Sequence, residues 1–244
     1  MNSRYETLTV GQLVAEKPIR ARVFEGLKID YCCGGKKLLD AVCLQQNLVL
    51  EDVVRVLLAF DSTSENSDLQ DWTSVPLKEL IDHIVTRHHA YLKRELPRIS
   101  KLLDKVVHAH GQKHPEMKEI QTIFNNFAEE LTQHMTKEEL ILFPLCLKLE
   151  TAKSVLTMPC GGTLQGAVGA MEAEHENAGE ALAKMRALSN DFQAPADGCN
   201  TFRVLMDSLA ELEKDMHQHV HKENNILFLR AVELERNHPG LSII

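Results

Sequence analysis

No apolar run in these 244 residues approaches the ~20 that a membrane span needs, and residues 1–7 lead into no signal-peptide core. Basic residues are the minority. Lys plus Arg number 27 against 35 Asp plus Glu, a formal net charge of −8. The acidic excess is scattered, which argues against nucleic acid or an anionic membrane as a partner. Six cysteines, two adjacent and the rest scattered, lack the spacing of a secreted disulfide framework, so a reducing, cytoplasmic setting is expected. No alternating apolar pattern marks a strand, so the fold class is all-α. Without a Gly-rich turn after a strand, there is no flavin or nicotinamide fingerprint.

Taken in order, the chain divides into a small helical domain at 1–60, a linker at 61–75 and an up-down four-helix bundle at 76–244. In the first part Val10, Leu13 and Val14, then Ile19, Val23, Phe24 and Leu27, recur at helical spacing, with Pro18 suited to a helix start. Gly34–Gly35 breaks that pattern. Residues 61–75 are polar, and the single tryptophan, Trp72, is placed to pin the linker's end to the following domain. Four helical segments come next, at 76–107, 116–149, 164–189 and 199–236, separated by breaks at 108–115, 158–162 and 190–198. Pro97 and Pro144 should kink or interrupt their helices.

The bundle repeats itself. At an offset of 85, His134, Glu138, Ile141, Leu142 and Phe143 coincide with His219, Glu223, Ile226, Leu227 and Phe228. A His four residues before a Glu puts imidazole and carboxylate on one helix face. The preceding apolar stripe matches at the same offset, with Phe124 on Leu209, Phe127 on Leu212 and Leu131 on Met216, so the pair lies on a face built to be buried. At an offset of 86, Ile81, Leu96 and Ile99 fall on Ala167, Leu182 and Met185, and His89 falls on His175. Choosing His88 instead would set Glu95 on Leu182 and Arg98 on Met185, so His89 is the better registered residue.

Six inward groups result: His89, His134, Glu138, His175, His219 and Glu223. A single His-x-x-x-Glu is common on solvated helices. Two registered copies, each with a further His from a repeated partner helix, are not what packing selects. Four imidazoles and two bridging carboxylates supply four ligands to each of two metals, leaving sites for a bridge and a small exogenous ligand. Without thiolate in the repeat, iron or manganese is favoured over structural zinc. His217 and His221 lie about 200° around the helix from His219 and read as solvent or outer groups. His83, His108, His110, His114 and His238 read as exposed, the middle three in a loop.

Cys32 and Cys33 form a second candidate site. Gly34–Gly35 opens the backbone, and a helix starting near Lys36–Lys37 could lower a thiol pKa; two small buried side chains at a turn explain the pair equally well. Cys43, Cys146, Cys160 and Cys199 read as incidental.

These residues resemble a known family. Asp30-Tyr31-Cys32-Cys33-Gly34-Gly35-Lys36 is similar to the signature of the small N-terminal domain of the RIC proteins (repair of iron centres). Asp82-His83-Ile84 with Arg87 and His89, together with the other five ligands, resembles their hemerythrin-like bundle. The likeness covers essentially the whole chain. It implies a non-haem di-iron centre with two bridging glutamates and an oxo-type bridge. It also implies repair of iron–sulfur clusters damaged by nitric oxide or oxidants through iron delivery, with damaged iron–sulfur proteins as clients and nitric oxide or oxygen as small ligands. His88 and Leu229 depart from the pattern. A nitric oxide reductase, dependent on a separate electron donor, and a hemerythrin-like oxygen carrier or sensor are the competing readings. The carrier would need only the bundle, which the Cys–Cys domain argues against. A homodimer stays open.

Overall fold

The computed structural model describes residues 3–63, 70–151 and 163–237; Cys160, His238 and the break at 158–162 lie outside them. In chain order come α1 (Ser3–Thr7), α2 (Val10–Glu16), a short 3-10 turn (Pro18–Arg20), α3 (Ala21–Gly26), α4 (Leu39–Gln45) and α5 (Leu50–Thr63). After them are α6 (Leu77–His83), α7 (Ala90–His110), α8 (Glu116–Lys137), α9 (Phe143–Thr151), α10 (Leu164–Leu188), α11 (Asn200–Lys222) and α12 (Phe228–Asn237). Among the described residues no strand forms; the nearest feature is an isolated bridge between Thr9 and Leu38. No helix among them is long and apolar enough to cross a membrane. The chain forms two compact units, Met1–Leu80 with His217–Ile244, and Ile81–Met216.

In the first unit, α2 starts on a reciprocal cap. The Gln12 amide N–H donates to the Thr9 hydroxyl at 3.1 Å, and the Gln12 side chain accepts from the Thr9 N–H at 2.9 Å. Val10, Leu13, Phe24, Leu39 and Leu57 are buried without residual exposure, each contributing roughly 1.5–3 kcal/mol. The buried Arg20 guanidinium reaches Asp61 on α5 at 2.7 Å, Glu16 at 3.2 Å and the Leu13 carbonyl at 3.1 Å. The linker's end is tied down through its backbone: Arg230 of α12 donates to the carbonyls of Trp72 at 3.1 Å and Val75 at 2.6 Å.

In the second unit, α7 packs on α8 and α8 on α10. The stripe read from the sequence faces inward: Leu92, Ile99, Phe124, Leu182, Leu209 and Leu212 are all buried. Between helices polar groups are paired, Arg98 with Ser208 at 2.7 Å and Arg186 with Glu213. α7 continues through Pro97 to His110, so the helix is not interrupted there and His108 and His110 are helical rather than in a loop.

Among the described residues three helices are interrupted by π-helical turns, at Ile84–His89, Glu138–Leu142 and Glu223–Leu227. Each shows the wide hydrogen bond that defines it: Ala90 N–H to Val85 C=O, Phe143 N–H to Glu138 C=O, and Phe228 N–H to Glu223 C=O. Pro144 sits just past the second of these, where an interruption was expected and its missing N–H is tolerated. Each of these three turns begins or ends on a candidate ligand.

Candidate metal centre

Four of the six candidate ligands lie in the second unit. His89 closes the first π turn, His134 stands in the last turn of α8, Glu138 opens the next π turn and His175 is midway along α10. All four are buried, Glu138 and His89 with no exposed surface. His89 Nε2 lies 3.4 Å from Glu138 Oε2, and His134 Nε2 lies 3.3 Å from Glu138 Oε1. His175 Nε2 lies 2.9 Å from His134 Nε2. His88, one residue away, turns elsewhere: its Nδ1 meets Asp215 at 3.1 Å.

The outer nitrogens explain why the inner ones converge. His89 Nδ1 donates to Glu139 at 2.7 Å, and Glu139 accepts in turn from Lys93 at 2.7 Å. His134 Nδ1 donates to Glu174 at 2.8 Å, and Glu174 accepts from Lys137. Burial by itself raises both carboxyl pKa values, but the lysine and histidine hydrogen bonds outweigh it and hold Glu139 and Glu174 below the usual carboxylate range. A proton held at Nδ1 leaves the Nε2 lone pair facing inward, the arrangement used to orient metal-ligating histidines. Phe143 stacks on the His89 ring at 5.7 Å and fixes its plane. Neither Glu139 nor Glu174 stood out in the sequence, since both sit among ordinary surface acids. Only their Lys–Glu–His chains mark them.

The other two candidates lie in the first unit. His219 Nε2 and Glu223 Oε1 are 2.9 Å apart, both with no exposed surface. Beside them, on the opposite face of the same helix, His221 is 5% exposed, so of the two places expected for it, solvent or an outer group, it is not in solvent. Its Nδ1 lies 3.3 Å from the Tyr31 carbonyl, its ring meets the Tyr31 ring edge-on at 5.4 Å, and burial pushes its pKa down to about 4. Asn225 completes this contact by donating to the carbonyls of Tyr31 at 3.3 Å and Cys32 at 2.9 Å. The glycines make room for it: a Cβ on Gly35 would stand 2.3 Å from the Asn225 side chain, and one on Gly11 2.4 Å.

Cys32 and Cys33 are free thiols with sulfurs 3.9 Å apart. The helix after them begins only at Leu39. The facing Cys33, then burial, then Asp30 push the Cys32 thiol well above its ordinary range, which goes against the lowered pKa of the thiol-site reading and not against the reading of two small side chains at a turn. Among the described residues the thiol that is lowered, to about 7, is the exposed Cys199, which accepts from the Phe202 N–H and from His110.

The donor set fits a cation. Imidazole nitrogens and the two oxygens of a fully buried carboxylate stand 2.9–3.4 Å from their neighbours, as adjacent ligands do around metals with bonds near 2.1 Å. Buried lone pairs aimed at one another repel unless positive charge is shared among them.

The hemerythrin HHE cation binding domain model matches residues 80–231, and a model described as a domain of unknown function (ScdA_N, DUF542) matches residues 6–61. The "Iron-sulfur cluster repair protein YtfE" of Escherichia coli O157:H7 is 33% identical over 228 residues, covering 93% of this chain and 98% of that protein. The protein of the same name from Escherichia fergusonii is likewise 33% identical, with the same coverage. The "Probable iron-sulfur cluster repair protein" of Haemophilus influenzae is 34% identical over 224 residues, covering 91% and 96%. The chain belongs to the iron–sulfur cluster repair family, whose larger part is a hemerythrin HHE cation-binding domain.

Proposed function

We propose that this protein repairs iron–sulfur clusters damaged by nitrosative and oxidative stress, and does so by donating iron. The observation that carries the reading is the pair of Lys–Glu–His chains, Lys93–Glu139–His89 and Lys137–Glu174–His134, which turn two imidazoles onto the buried Glu138. Such an arrangement serves metal, and the donor types suit iron. His89, His134, His175 and His219 would bind as terminal ligands, with Glu138 and Glu223 shared, giving a non-haem di-iron centre with room for an oxo-type bridge. Support for the shared pair comes from the sequence repeat that sets His134–Glu138 on His219–Glu223. Bound there, iron supplies redox chemistry and a store of ferrous ion. The chain's own residues hold it, keep the imidazoles in one tautomer and exclude bulk water.

A cavity of about 230 Å³ beside His134 and His175, lined also by Lys137, Glu174, Phe127 and Asn177, offers a small ligand or a leaving ion a way to the ligands. Nitric oxide or oxygen is the small ligand and damaged iron–sulfur proteins are the clients. The free thiols suit a cytoplasmic setting. The domain organisation is 1–60, 61–75 and 76–244, a division supported by family matches over 6–61 and 80–231. The relatives' names favour repair over a nitric oxide reductase or an oxygen carrier.

The test uses chain loaded with radiolabelled iron, mixed with an enzyme whose cluster has lost iron, in the presence of a chelator too large to enter the bundle. Labelled iron should appear in the restored cluster, and the loaded chain should start with about two irons. Restoration that consumes reductant but carries no label would sink donation, and recovery of one zinc and no iron after reconstitution would sink the di-iron centre.

A further inference from the structure

The N-terminal loop holds a second group of metal-binding atoms, none of them from the His/Glu set. One ligand atom each from Asp30, Cys32 and Cys33 lies within 4.8 Å of the others. The two sulfurs are 3.9 Å apart, far beyond the ~2.05 Å of a disulfide. Two thiolates bound to one tetrahedral metal at about 2.3 Å each stand about 3.8 Å apart, so the observed spacing is that of a chelating pair. Asp30 Oδ1 lies 3.1 Å from Cys32 Sγ, near enough to serve as a third ligand.

The loop is held in this shape before any ligand arrives. Asp30 accepts from the amide N–H of Cys32 at 2.9 Å and of Gly34 at 2.8 Å. Asn225 grips the Cys32 carbonyl from behind at 2.9 Å, and the buried Tyr31 is anchored through its hydroxyl to Glu25 at 2.9 Å. The loop therefore loses little freedom on binding. Asp30 is exposed and Cys33 half-exposed, so the carboxylate side opens to water.

We infer that Asp30, Cys32 and Cys33 form a mononuclear site for a thiolate-preferring divalent cation such as ferrous iron, zinc or cobalt. Binding displaces one proton from each thiol and leaves the metal's oxidation state unchanged; two Sγ–metal bonds and one carboxylate–metal bond form, with water completing the sphere. Thiolate ligation sets this site apart from the imidazole and carboxylate donors of the bundle and matches the ligands iron meets in a cluster. The site's use as an exit port for iron rests on the donation reading above; its existence does not.

The test adds cobalt(II) to the iron-loaded full-length protein and follows thiolate-to-cobalt charge-transfer absorption, with iron content as the internal control. Saturation is expected at about one cobalt per chain without loss of iron. Cys32→Ser and Cys33→Ser should each weaken binding at least about tenfold and cut the absorption, and Asp30→Asn should weaken binding about tenfold while keeping it. Cys199→Ser should change nothing. On the unaltered chain, bound zinc should protect Cys32 and Cys33 from alkylation, a measurement that needs no variant to fold. No charge-transfer absorption with the unaltered chain, or absorption that survives in the Cys32→Ser/Cys33→Ser double variant, would overturn the site. If cobalt binds as described but the double variant, still iron-loaded, restores a damaged cluster at the normal rate, the exit role is wrong while donation by the bundle stands.

Discussion

Glu139 and Glu174 show how much a single half-buried acid can contribute to a buried site. Each accepts from the Nδ1 of one histidine, and each is held charged by a lysine. Replacing either by Gln keeps the size but offers an amide that can face the imidazole as donor or acceptor, so the tautomer is no longer enforced. Glu139→Gln and Glu174→Gln should each reduce metal affinity by about 10- to 100-fold in chelator competition, with an unchanged helical circular dichroism spectrum. Full affinity in both variants would remove the orienting role. The sequence could not mark these two residues, because the partner of Glu139 is 50 positions away and that of Glu174 40.

At the scale of elements, the π turns are the feature that periodicity alone missed. A 3.6-residue repeat predicts unbroken helices, and one residue added within a turn rotates the rest of the helix by about 100°. In the turn at Glu138–Leu142 this rotation sets Phe143 over the His89 ring. Leu140 is 73% exposed and contributes length rather than packing. Deleting it should convert the π turn to an α turn, leave the protein folded, and carry Phe143 away from His89. Metal binding should then weaken about tenfold, as it does when a ligand loses its support, measured by metal analysis after dialysis against chelator. A deletion variant that keeps full metal would show the turn to be ornamental. The sequence shows these turns only indirectly: the aligned Glu138–Phe143 and Glu223–Phe228 segments share their Glu, Ile, Leu and Phe in register.

At the scale of the molecule, two outcomes can be measured. The Asp61 carboxyl, although burial raises its pKa, is held below its ordinary value of 3.8 by hydrogen bonds from Arg20 and Lys17. A carboxyl lowered in the folded state stabilises above its unfolded value and loses that contribution as pH falls through the folded one. Thermal stability should therefore fall off below about pH 4, and Asp61→Asn should lower Tm at neutral pH while flattening that acid limb. An unchanged acid limb in the variant would assign it to other carboxylates. The second outcome concerns residues 76–244 alone. Without the first 75 residues, His221 and Asn225 lose their hydrogen bonds to Tyr31 and Cys32. At ~1 kcal/mol for each of these three bonds, and about 2–4 °C per kcal/mol for a chain of this size, Tm should drop by roughly 6–12 °C while iron binding is retained. A folded truncation that binds no iron would show that the first domain completes the centre.

The all-α class and the inward stripe of the bundle were determined locally, because the period of apolar residues along one helix depends only on that helix. The repeat offsets picked out six ligand candidates for the same reason: a buried polar pair recurring in register is visible without knowing what it faces. Tertiary structure alone decided the rest. The proton on His89 and His134 is placed by acids distant in the chain. The Cys32 thiol is pushed up, not down, because Cys33, burial and Asp30 act on it where no helix begins. His221, read from its angular position as a solvent or outer group, is buried because Tyr31, 190 residues earlier, packs against it. A residue's neighbours along the chain set its conformation, but its charge state and its partners are set by whatever the fold brings alongside.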